Sequence, residues 1–557
     1  MAGRYAMTRS RIGLATGVVA LSAYGTYSCT KVVANESLSG EKPEQGPSRI
    51  RSAPRETTNV GPFSAWVWGS NKNDNLQPRS FNAPVLKGPR VTAYIPSTPL
   101  RDLALAEKYG AAVDVRGDVW IWGAGHFDDG VPSDKAALSL RGKNIESLAA
   151  TDSKLYALSK HSGQIYGVSS KRSRQQLQPR QPERYPWWML GLGAWFRQDP
   201  GVDYVQLVPA GGLSKGEKFT SLVSGSSHIL ALTNKGRAFS MATNTDGNSH
   251  MQLGLGIRRD IPVNEGRSPD DIRWTDTLNP IMSLNTVEIA QVAAGLKSSY
   301  FRMADGRVLG MGANNLGQLG IGALASVEVV PTPSEIVLAR SYPGGITVKC
   351  TNIAAGGNNA FYTVERSNLD GTQTFVDLLA VGTGISGGLG NGLWSSASSS
   401  PVKVKSVSGL QEYSEALRSF IPLEIKAVSV GSSPTAHIFA TLNTVTQSEQ
   451  SGVLSNKYGD DVVAWGANVD YNLGTGKRSN VAVPQHLSPL AGKIDAESRE
   501  ASMTAGTLTP MPHSRLQLHT GQGDAYDLDG RLLKRNVKAA QVMYAGYNAS
   551  ASYWRAI

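Results

Sequence analysis

Residues 287–336 decide how this chain folds, and they read VEIAQVAAGLKSSYFRMADGRVLGMGANNLGQLGIGALASVEVVPTPSEI. The stretch contains a small-residue run that ends in glycine (Val292–Gly295), a turn dipeptide (Asp305-Gly306) before a short apolar strand, and a glycine-punctuated loop (Asn315–Gly320). Asp-Gly supplies the positive φ angles that a two-residue hairpin needs. Residues without bulk let backbones approach closely, as at the narrow centre of a radial array. The stretch therefore predicts short antiparallel strands around a crowded centre.

The same pattern recurs along the chain, which indicates a repeat protein. Gly225 and Gly236 are separated by the same number of residues as Gly295 and Gly306. Whole or partial copies of the unit lie in six segments: Arg116–Gly123, Ser162–Gly167, Val223–Gly256, Val287–Gly320, Ile353–Gly392 and Ala427–Gly474.

A seventh unit is divided between the two ends of the chain. Its first half is Val542–Trp554, and the chain stops at Ile557, where the turn glycine of the unit is due. The missing strand is at the other end, as Ala65–Asn71. Pairing the first and last strands closes a ring and leaves no open sheet edge. The pattern predicts an all-β, seven-bladed propeller, and the residues expected to close it are Trp66, Trp68, Gly69, Gly546 and Trp554.

The small-residue run ending in glycine, the strand ending in Trp-Gly and the Asn-x-x-Gly-Gln-Leu-Gly loop resemble the repeats of the regulator of chromosome condensation family. The resemblance covers roughly Phe63 to Ile557, interrupted by insertions. It implies a seven-bladed propeller. It implies much less about function, because one fold hosts many activities.

Composition limits the classes of protein that the chain can belong to. A length of 557 residues suits one closed repeat array as well as several domains. Sixty glycines at fixed offsets from apolar strands indicate turns rather than disorder. Cys29 and Cys350 are too few for a disulfide framework or a cysteine-rich metal site.

The N-terminal segment differs from the repeats. Residues 1–34 carry arginines with Ser and Thr and no acidic residue, which is typical of a mitochondrial targeting segment, with a secretory signal as the competing interpretation. Within it, Ile12–Cys29 is apolar but diluted by Gly, Ser and Thr, so a cleaved transit peptide and a retained single-span transmembrane anchor both stay open. Residues 35–62 are expected to be a linker and residues 63–557 the propeller.

An insertion at about residues 169–216 is the candidate surface for a partner or a membrane. Basic residues there flank a Trp-rich apolar segment, a combination that interfacial membrane contacts use. The residues concerned are Lys171, Arg172, Arg174, Trp187, Trp188, Trp195 and Arg197. The alternative is a loop whose tryptophans pack on the propeller beneath solvated charges. A second insertion, Gln411–Phe420, has helix-like spacing.

Signals for catalysis or cofactors are weak. Gly382–Gly387 matches the dinucleotide fingerprint, but it overlays repeat glycines and no helical pattern follows. His228 and His437 are expected to be polar-tipped rings packed between blades, since zinc needs more converging ligands. The Asp-Asp pairs at 128–129, 270–271 and 460–461 lack calcium-loop spacing and are expected to be solvated turns. The sequence predicts no enzyme, no cofactor and no metal site.

The resemblance supplies three functional hypotheses. The basic leader, the hydrophobic segment, the Trp-rich insertion and the diverged repeats are similar to a fungal mitochondrial branch of the family that is needed for assembly of ubiquinol–cytochrome c reductase (respiratory complex III). That branch implies a non-catalytic scaffold for an assembly intermediate, held at the mitochondrial inner membrane with its propeller in the intermembrane space. A matrix protein bound to ribosomal RNA through the cluster that begins at Lys171 is the first alternative. A guanine-nucleotide exchange factor is the second.

Overall fold

A computed structural model of the chain describes residues 61–127, 134–175, 202–256, 260–322, 327–368, 371, 373–414, 417–444, 459–490 and 515–557. The described chain is built almost entirely from short antiparallel strands, as the alternation of apolar segments and Gly-containing turns predicts. Among the described residues, no helix is long and apolar enough to cross a membrane. The segment Ile12–Cys29 lies outside the described residues.

The strands in the N-terminal half are β1 (Trp66–Ser70), β2 (Val85–Val91), β3 (Leu100–Leu105), β4 (Gly110–Asp114), β5 (Val119–Trp122), β6 (Ala137–Leu140), β7 (Ile145–Ala150), β8 (Lys154–Ser159), β9 (Ile165–Ser169), β10 (Val205–Gln206), β11 (Val208–Pro209), β12 (Phe219–Ser224), β13 (His228–Thr233), β14 (Ala238–Ala242), β15 (Thr277–Pro280), β16 (Ile289–Ala294), β17 (Ser298–Met303), β18 (Val308–Ala313) and β19 (Val329–Glu335). One helical turn, α1 (Arg172–Gln175), follows β9.

The strands in the C-terminal half are β20 (Ile346–Gly356), β21 (Asn359–Asn368), β22 (Thr374–Gly382), β23 (Ser398–Lys403), β24 (Gln411–Ser414), β25 (Ser419–Pro422), β26 (Ile425–Val430), β27 (His437–Leu442), β28 (Asp460–Gly466), β29 (Val481–His486), β30 (Gln517–Leu518), β31 (Thr520–Tyr526), β32 (Leu532–Ala545) and β33 (Ala549–Ala556). Short 3₁₀ helices occur at Arg79–Phe81, Thr245–Asn248, Met282–Leu284, Leu338–Ser341 and Lys405–Val407.

Five separate sheets of the described chain each take four strands in chain order, with a short extra strand added in two of them. They are β7–β10, β12–β15, β16–β19, β20–β23 and β26–β29. β11 adds in parallel beside β15, and β30 adds beside β28. The first strand of each sheet lies innermost, because its residues line the centre of the ring.

A nine-stranded sheet contains both ends of the described chain. β1 lies between β2 and β33, with Trp66 opposite Ser552 and Gly69 opposite Ala549. The order β2-β1-β33 continues through β32 to β31 on one path and through β3, β4, β5 and β6 on the other. β3 joins β33 through the single parallel pair Leu100 and Arg555. The N-terminal strand β1 thus lies between β2, which follows it directly in sequence, and β33 near Ile557.

Turn geometry corrects one detail of the sequence prediction. Gly306 has a φ of 91°, as expected, but Asp305 is not among the positive-φ residues. The amide of Gly306 donates to the carbonyl of Met303, and that of Met303 to the carbonyl of Arg307. The connection is therefore a longer turn with one left-handed glycine, and the prediction of a two-residue hairpin is wrong.

Glycines allow the units to crowd at the centre. A Cβ atom on Gly225 would lie 2.4 Å from the carbonyl oxygen of Gly295, and one on Gly356 would lie 2.7 Å from that of Gly431. On Gly546 it would lie 2.6 Å from the carbonyl oxygen of Leu105. Each contact joins neighbouring units, so the glycine that ends each small-residue run is needed for close packing.

Buried tryptophans connect neighbouring units further out. The indole nitrogens of Trp68, Trp122 and Trp465 donate to the carbonyl oxygens of Asn472, Asn75 and Gly388 at 2.8, 2.9 and 3.1 Å. Asn472 and Gly388 lie in glycine-containing loops of the preceding unit, and Asn75 lies in the loop after β1, which contains no glycine. A buried indole thus fills the space between two sheets and satisfies its polar nitrogen across the same boundary.

The second insertion is a hairpin rather than a helix. β24 pairs with β25 in antiparallel register, with Tyr413 opposite Phe420, and the two rings are 5.4 Å apart between centroids. The helical spacing of the apolar residues was misleading, because cross-strand aromatic pairing favours the extended conformation over this short segment.

Candidate functional site

A cavity of about 650 Å³ lies at the centre of the ring. It is lined by the innermost strands β3, β7, β12, β16, β20 and β26 and by the end of β32. Small side chains such as Ala104, Ala150 and Ala294 form much of its wall. Among the described lining residues there is no histidine and no cysteine. The cavity therefore presents backbone, hydroxyl, carboxyl and amide groups together with the side chain of Lys297.

Two carboxylates meet at the mouth of this cavity. Burial raises the pKa of Asp152, the nearby carboxylate of Glu107 raises it further, and Lys108 opposes the change. The pKa of Tyr547, on the loop between β32 and β33, is raised by burial and by the same two carboxylates. These groups form an acidic sector of the mouth. Within the described chain, no three histidine, cysteine or acidic side chains converge to hold a metal ion.

Asp102 lies deeper in the cavity wall, where the first and last units meet. Its Oδ2 accepts the amide of Leu148 at 2.8 Å, and its Oδ1 accepts the amide of Leu103 at 3.0 Å and the hydroxyl of Tyr553 at 3.4 Å. Burial raises the pKa of this carboxyl, while its hydrogen bonds and Arg555 lower it. The side chain thus connects β3, β7 and β33, and this structural role explains its burial.

The two histidines singled out in the sequence do pack between units. His228 and His437 are fully buried at the start of β13 and β27. The Nε2 atom of His228 lies 3.1 Å from the Oγ of Ser299, and that of His437 lies 2.8 Å from the Oγ of Ser550. Burial lowers the pKa of both rings to about 4. The prediction of polar-tipped rings between blades is confirmed.

Lys154 is a buried cation that the sequence gave no reason to select. It begins β8, at the register position that His228 occupies in β13, and its side chain is fully buried. Its Nζ donates to the carbonyl oxygens of Thr243 and Pro269, both at 2.9 Å, and lies 5.5 Å from the ring centre of Trp274. Burial lowers its pKa to about 8. The ammonium holds the long loop between β14 and β15 against the preceding unit.

The basic segment after β9 is largely engaged within the protein. Arg174 forms an ion pair with Asp270 at 3.0 Å, and Arg172 donates to the carbonyl of Leu138 at 3.2 Å. Burial lowers the pKa of Arg172. Lys171, directly before α1, is exposed. The other candidate contact residues, Trp187, Trp188, Trp195 and Arg197, lie outside the described residues.

The prediction of a solvated turn is wrong for one of the Asp-Asp pairs. Asp460 and Asp461 are buried in β28, not solvated in a turn. Asp460 pairs with Lys426 at 2.6 Å, and Asp461 pairs with Arg515 at 2.6 Å. Paired cations from other elements make this burial tolerable, and those partners are not visible from local sequence. Asp270 lies in a loop as expected, and the pair at 128–129 lies outside the described residues.

The dinucleotide-like glycines have a packing role. Gly382 ends β22, and the chain then runs through a loop into β23 without an intervening helix. A Cβ atom on Gly387 would lie 2.6 Å from the carbonyl oxygen of Val481 in the next sheet. Gly387 therefore allows close packing of the neighbouring sheet, and the helix N-terminus that a pyrophosphate site requires is not formed by the described residues.

Comparison with known proteins places the repeats in a family. Residues 305–362 match the regulator of chromosome condensation (RCC1) repeat. The chain is 23% identical over 465 residues to the Saccharomyces cerevisiae protein FMP25, mitochondrial, covering 78% of this chain and 68% of the relative. It is 26% identical to the Arabidopsis thaliana RCC1 domain-containing protein RUG3, mitochondrial, covering 53% of this chain and 58% of the relative. The chain thus spans only part of the length of these relatives.

The fold agrees with these matches. Yeast RCC1 (Prp20), in its crystal structure bound to Kap60, superposes with a TM-score of 0.53 at 15% identity, covering 94% of this chain and 97% of that one. At this identity the likeness concerns the fold, and it confirms the all-β propeller. With a matched repeat at residues 305–362, a propeller fold and mitochondrial relatives in fungi and plants, the chain carries an RCC1 repeat and is similar to mitochondrial proteins that contain RCC1 repeats.

Proposed function

We propose that this protein is a non-catalytic mitochondrial scaffold that assists assembly of respiratory complex III. The observation that carries the mitochondrial part is the alignment with a yeast mitochondrial protein over 78% of the chain. The complex III part rests on the resemblance of the leader, hydrophobic segment, Trp-rich insertion and repeats to the fungal branch that serves this assembly. The candidate partner is therefore an assembly intermediate of that complex.

The geometry supports a scaffold because the ring is rigid and its loops are many. Hydrogen bonds join neighbouring units, from Ser226 Oγ to the carbonyl of Leu296 at 2.9 Å and from the amide of Tyr547 to the carbonyl of Leu105 at 2.9 Å. Loops on such a scaffold keep a fixed arrangement and can contact a broad partner surface. The cavity offers hydroxyl, carboxyl and amide groups that can hydrogen-bond to a partner.

The ring is proposed to have seven blades, the closing one shared by both ends of the chain. The nine-stranded sheet divides naturally where β3 meets β33, since a single residue pair joins them. One part then contains β31, β32, β33, β1 and β2, and the other contains β3 to β6. Two blades here and the five separate sheets give seven.

The inner membrane, with the propeller facing the intermembrane space, is the proposed location. Protease treatment of mitochondria and of swollen mitoplasts, with a C-terminal tag on the chain, tests it. Digestion of the tag only after the outer membrane is opened is the expected result. A tag that stays protected until the inner membrane is dissolved places the propeller in the matrix, and ribosomal RNA is then the first partner to test.

Loss of the protein tests the function directly. Cells that lack it should contain less mature complex III on native gels, while labelling of mitochondrial translation products stays normal. Re-expression of the full chain should restore the complex. Normal complex III in the deletion strain would refute the proposal, and a general loss of mitochondrial translation would favour the ribosomal alternative.

A further inference from the structure

Four large apolar side chains are exposed on a loop and on the strand that packs beside it. Three lie in the loop between β22 and β23, and the fourth lies in β29 of the next sheet. Their exposed fractions are Ile385 59%, Leu393 61%, Trp394 57% and Val483 46%. Single exposed apolar residues are ordinary on protein surfaces, but a group that includes a tryptophan indicates a contact surface.

The loop and the strand form one continuous surface. The amide of Gly392 donates to the carbonyl oxygen of Ala482 at 2.9 Å. A Cβ atom on Gly392 would lie 3.6 Å from a methyl carbon of Val483. Leu393 and Trp394 follow Gly392 directly, so they lie beside β29. We call Leu393, Trp394 and Val483 the rim patch.

The exposed charged residues in the two segments that carry the rim patch are positive. Residues 383–400 contain no charged side chain, and the turn that leads into β29 carries the exposed residues Lys477 and Arg478. The nearby acidic residue, Asp470, is buried and pairs with Lys72 at 3.3 Å. Every residue of the patch and of this turn is described, so no further carboxylate is concealed within these segments.

We propose that the rim patch is a contact for an anionic lipid surface. Tryptophan and aliphatic side chains enter the boundary between headgroups and acyl chains, and adjacent Lys and Arg attract anionic headgroups. The apolar side chains project from a loop and an edge strand rather than lining a groove, which suits a bilayer better than a peptide. This inference goes beyond the scaffold role and does not depend on which complex is assembled.

A local probe separates this contact from any membrane binding by the N-terminal segment. Ser396 is exposed two residues after Trp394, and the two native cysteines are Cys29 and the buried Cys350, whose thiol pKa burial raises to about 12. Full-length protein with Cys29→Ser and Ser396→Cys is labelled with an environment-sensitive dye. Vesicles of phosphatidylcholine with cardiolipin should shift the dye emission to the blue, and shallow spin-labelled lipids should quench it.

Matched substitutions test which residues are responsible. Leu393→Ser with Trp394→Ser should weaken the lipid-induced shift by about tenfold or more, since two apolar side chains no longer leave water. The control, Leu417→Ser with Phe420→Ser, removes side chains that are 61% and 66% exposed on the separate hairpin, and it should leave the shift unchanged. Lys477→Glu with Arg478→Glu should abolish the preference for cardiolipin vesicles over phosphatidylcholine alone.

Three results would overturn the proposal. The dye signal stays constant although the protein floats with the vesicles, in which case another segment binds the membrane. The shift is equal for vesicles with and without cardiolipin, in which case the cations play no part. The shift appears with a lipid-free protein extract and not with vesicles, in which case the rim patch binds protein.

Discussion

The indole nitrogen of Trp68 donates a 2.8 Å hydrogen bond to the carbonyl oxygen of Asn472, 404 residues further along the chain. Trp68 is fully buried and its ring lies edge-on to Phe439, with 6.1 Å between ring centres. A Cβ atom on Gly474 would lie 2.9 Å from the indole nitrogen, so only glycine allows the loop this close. One side chain from the N-terminal strand thus fixes the loop of the last complete repeat.

Replacing Trp68 by alanine should destabilise the whole ring. The substitution leaves a large cavity between two sheets and removes one of the two hydrogen bonds to the carbonyl of Asn472, the other coming from Ser550 Oγ. We expect a loss of about 3–5 kcal/mol in the free energy of unfolding. Trp394→Ala is the matched control, because Trp394 is 57% exposed and its removal should cost less than about 0.5 kcal/mol. Denaturant unfolding measures both. Equal midpoints for the two variants would contradict the role of Trp68 in closure.

Gly546→Ala tests the crowding between the last unit and the first. The new methyl group would lie 2.6 Å from the carbonyl oxygen of Leu105, which also accepts the amide of Tyr547 at 2.9 Å. We expect a loss of about 1–3 kcal/mol, because the backbone must move to accept the methyl group. Gly88→Ala in β2 is the control, since no atom lies within 4 Å of the added Cβ. If Gly88→Ala lowered the melting temperature and Gly546→Ala did not, this explanation would be wrong.

The buried histidines should make the protein sensitive to mild acid. Their folded-state pKa of about 4 is below the ordinary value of 6.5, so the folded state binds fewer protons between these values. Their stabilising contribution is therefore complete above pH 6.5 and is lost as the pH falls toward 4. Each histidine should account for about 3 kcal/mol over this range.

Substitution separates this effect from the titration of carboxylates. Asn359 occupies the register position of His228 and His437 in the β20–β23 sheet, so His228→Asn with His437→Asn introduces a side chain that the fold already accepts there. We expect the double variant to lose less stability than the parent protein between pH 7 and pH 4.5 in urea unfolding. The control is His161→Asn at an exposed position, which should leave the pH dependence of the free energy of unfolding as it is in the parent protein. If the free energy of unfolding fell equally with pH in all three proteins, the histidines would be ruled out as the cause.

The sequence predicts the repeated parts of the molecule better than the contacts between them. The glycines of each small-residue run and the Trp-Gly strands were visible because the same local geometry requires them in every unit. The residue at the start of the second strand of a unit, or directly before it, varies between Tyr109, Lys154, His228, Ser298 and Asn359, and its partner differs each time. For Tyr109, Lys154 and His228 that partner lies in another unit. Local pattern therefore gave no reason to expect a buried lysine.

At the candidate sites, too, the contacts between units could not be predicted from local sequence. Asp460 and Asp461 were expected in a turn, since two adjacent carboxylates usually remain solvated, yet Lys426 and Arg515 pair with them inside the sheet. The rim patch needed the fold as well, because Gly392, two residues before Trp394, lies beside Val483 only when two sheets meet. Charge and hydrophobicity along the chain do not reveal which side chains a neighbouring unit covers.

Lys154 provides the last test, on the loop between β14 and β15. Lys154→Met keeps most of the side-chain volume but leaves the carbonyl oxygens of Thr243 and Pro269 without their buried donor. We expect a loss of about 1–3 kcal/mol and faster amide hydrogen exchange in residues 260–275, because the loop is no longer held to the preceding unit. Lys160→Met is the control, since Lys160 is 49% exposed and pairs with Glu146 on the surface. Unchanged exchange in the loop of Lys154→Met would mean that Trp274 and its neighbours hold the loop without the ammonium.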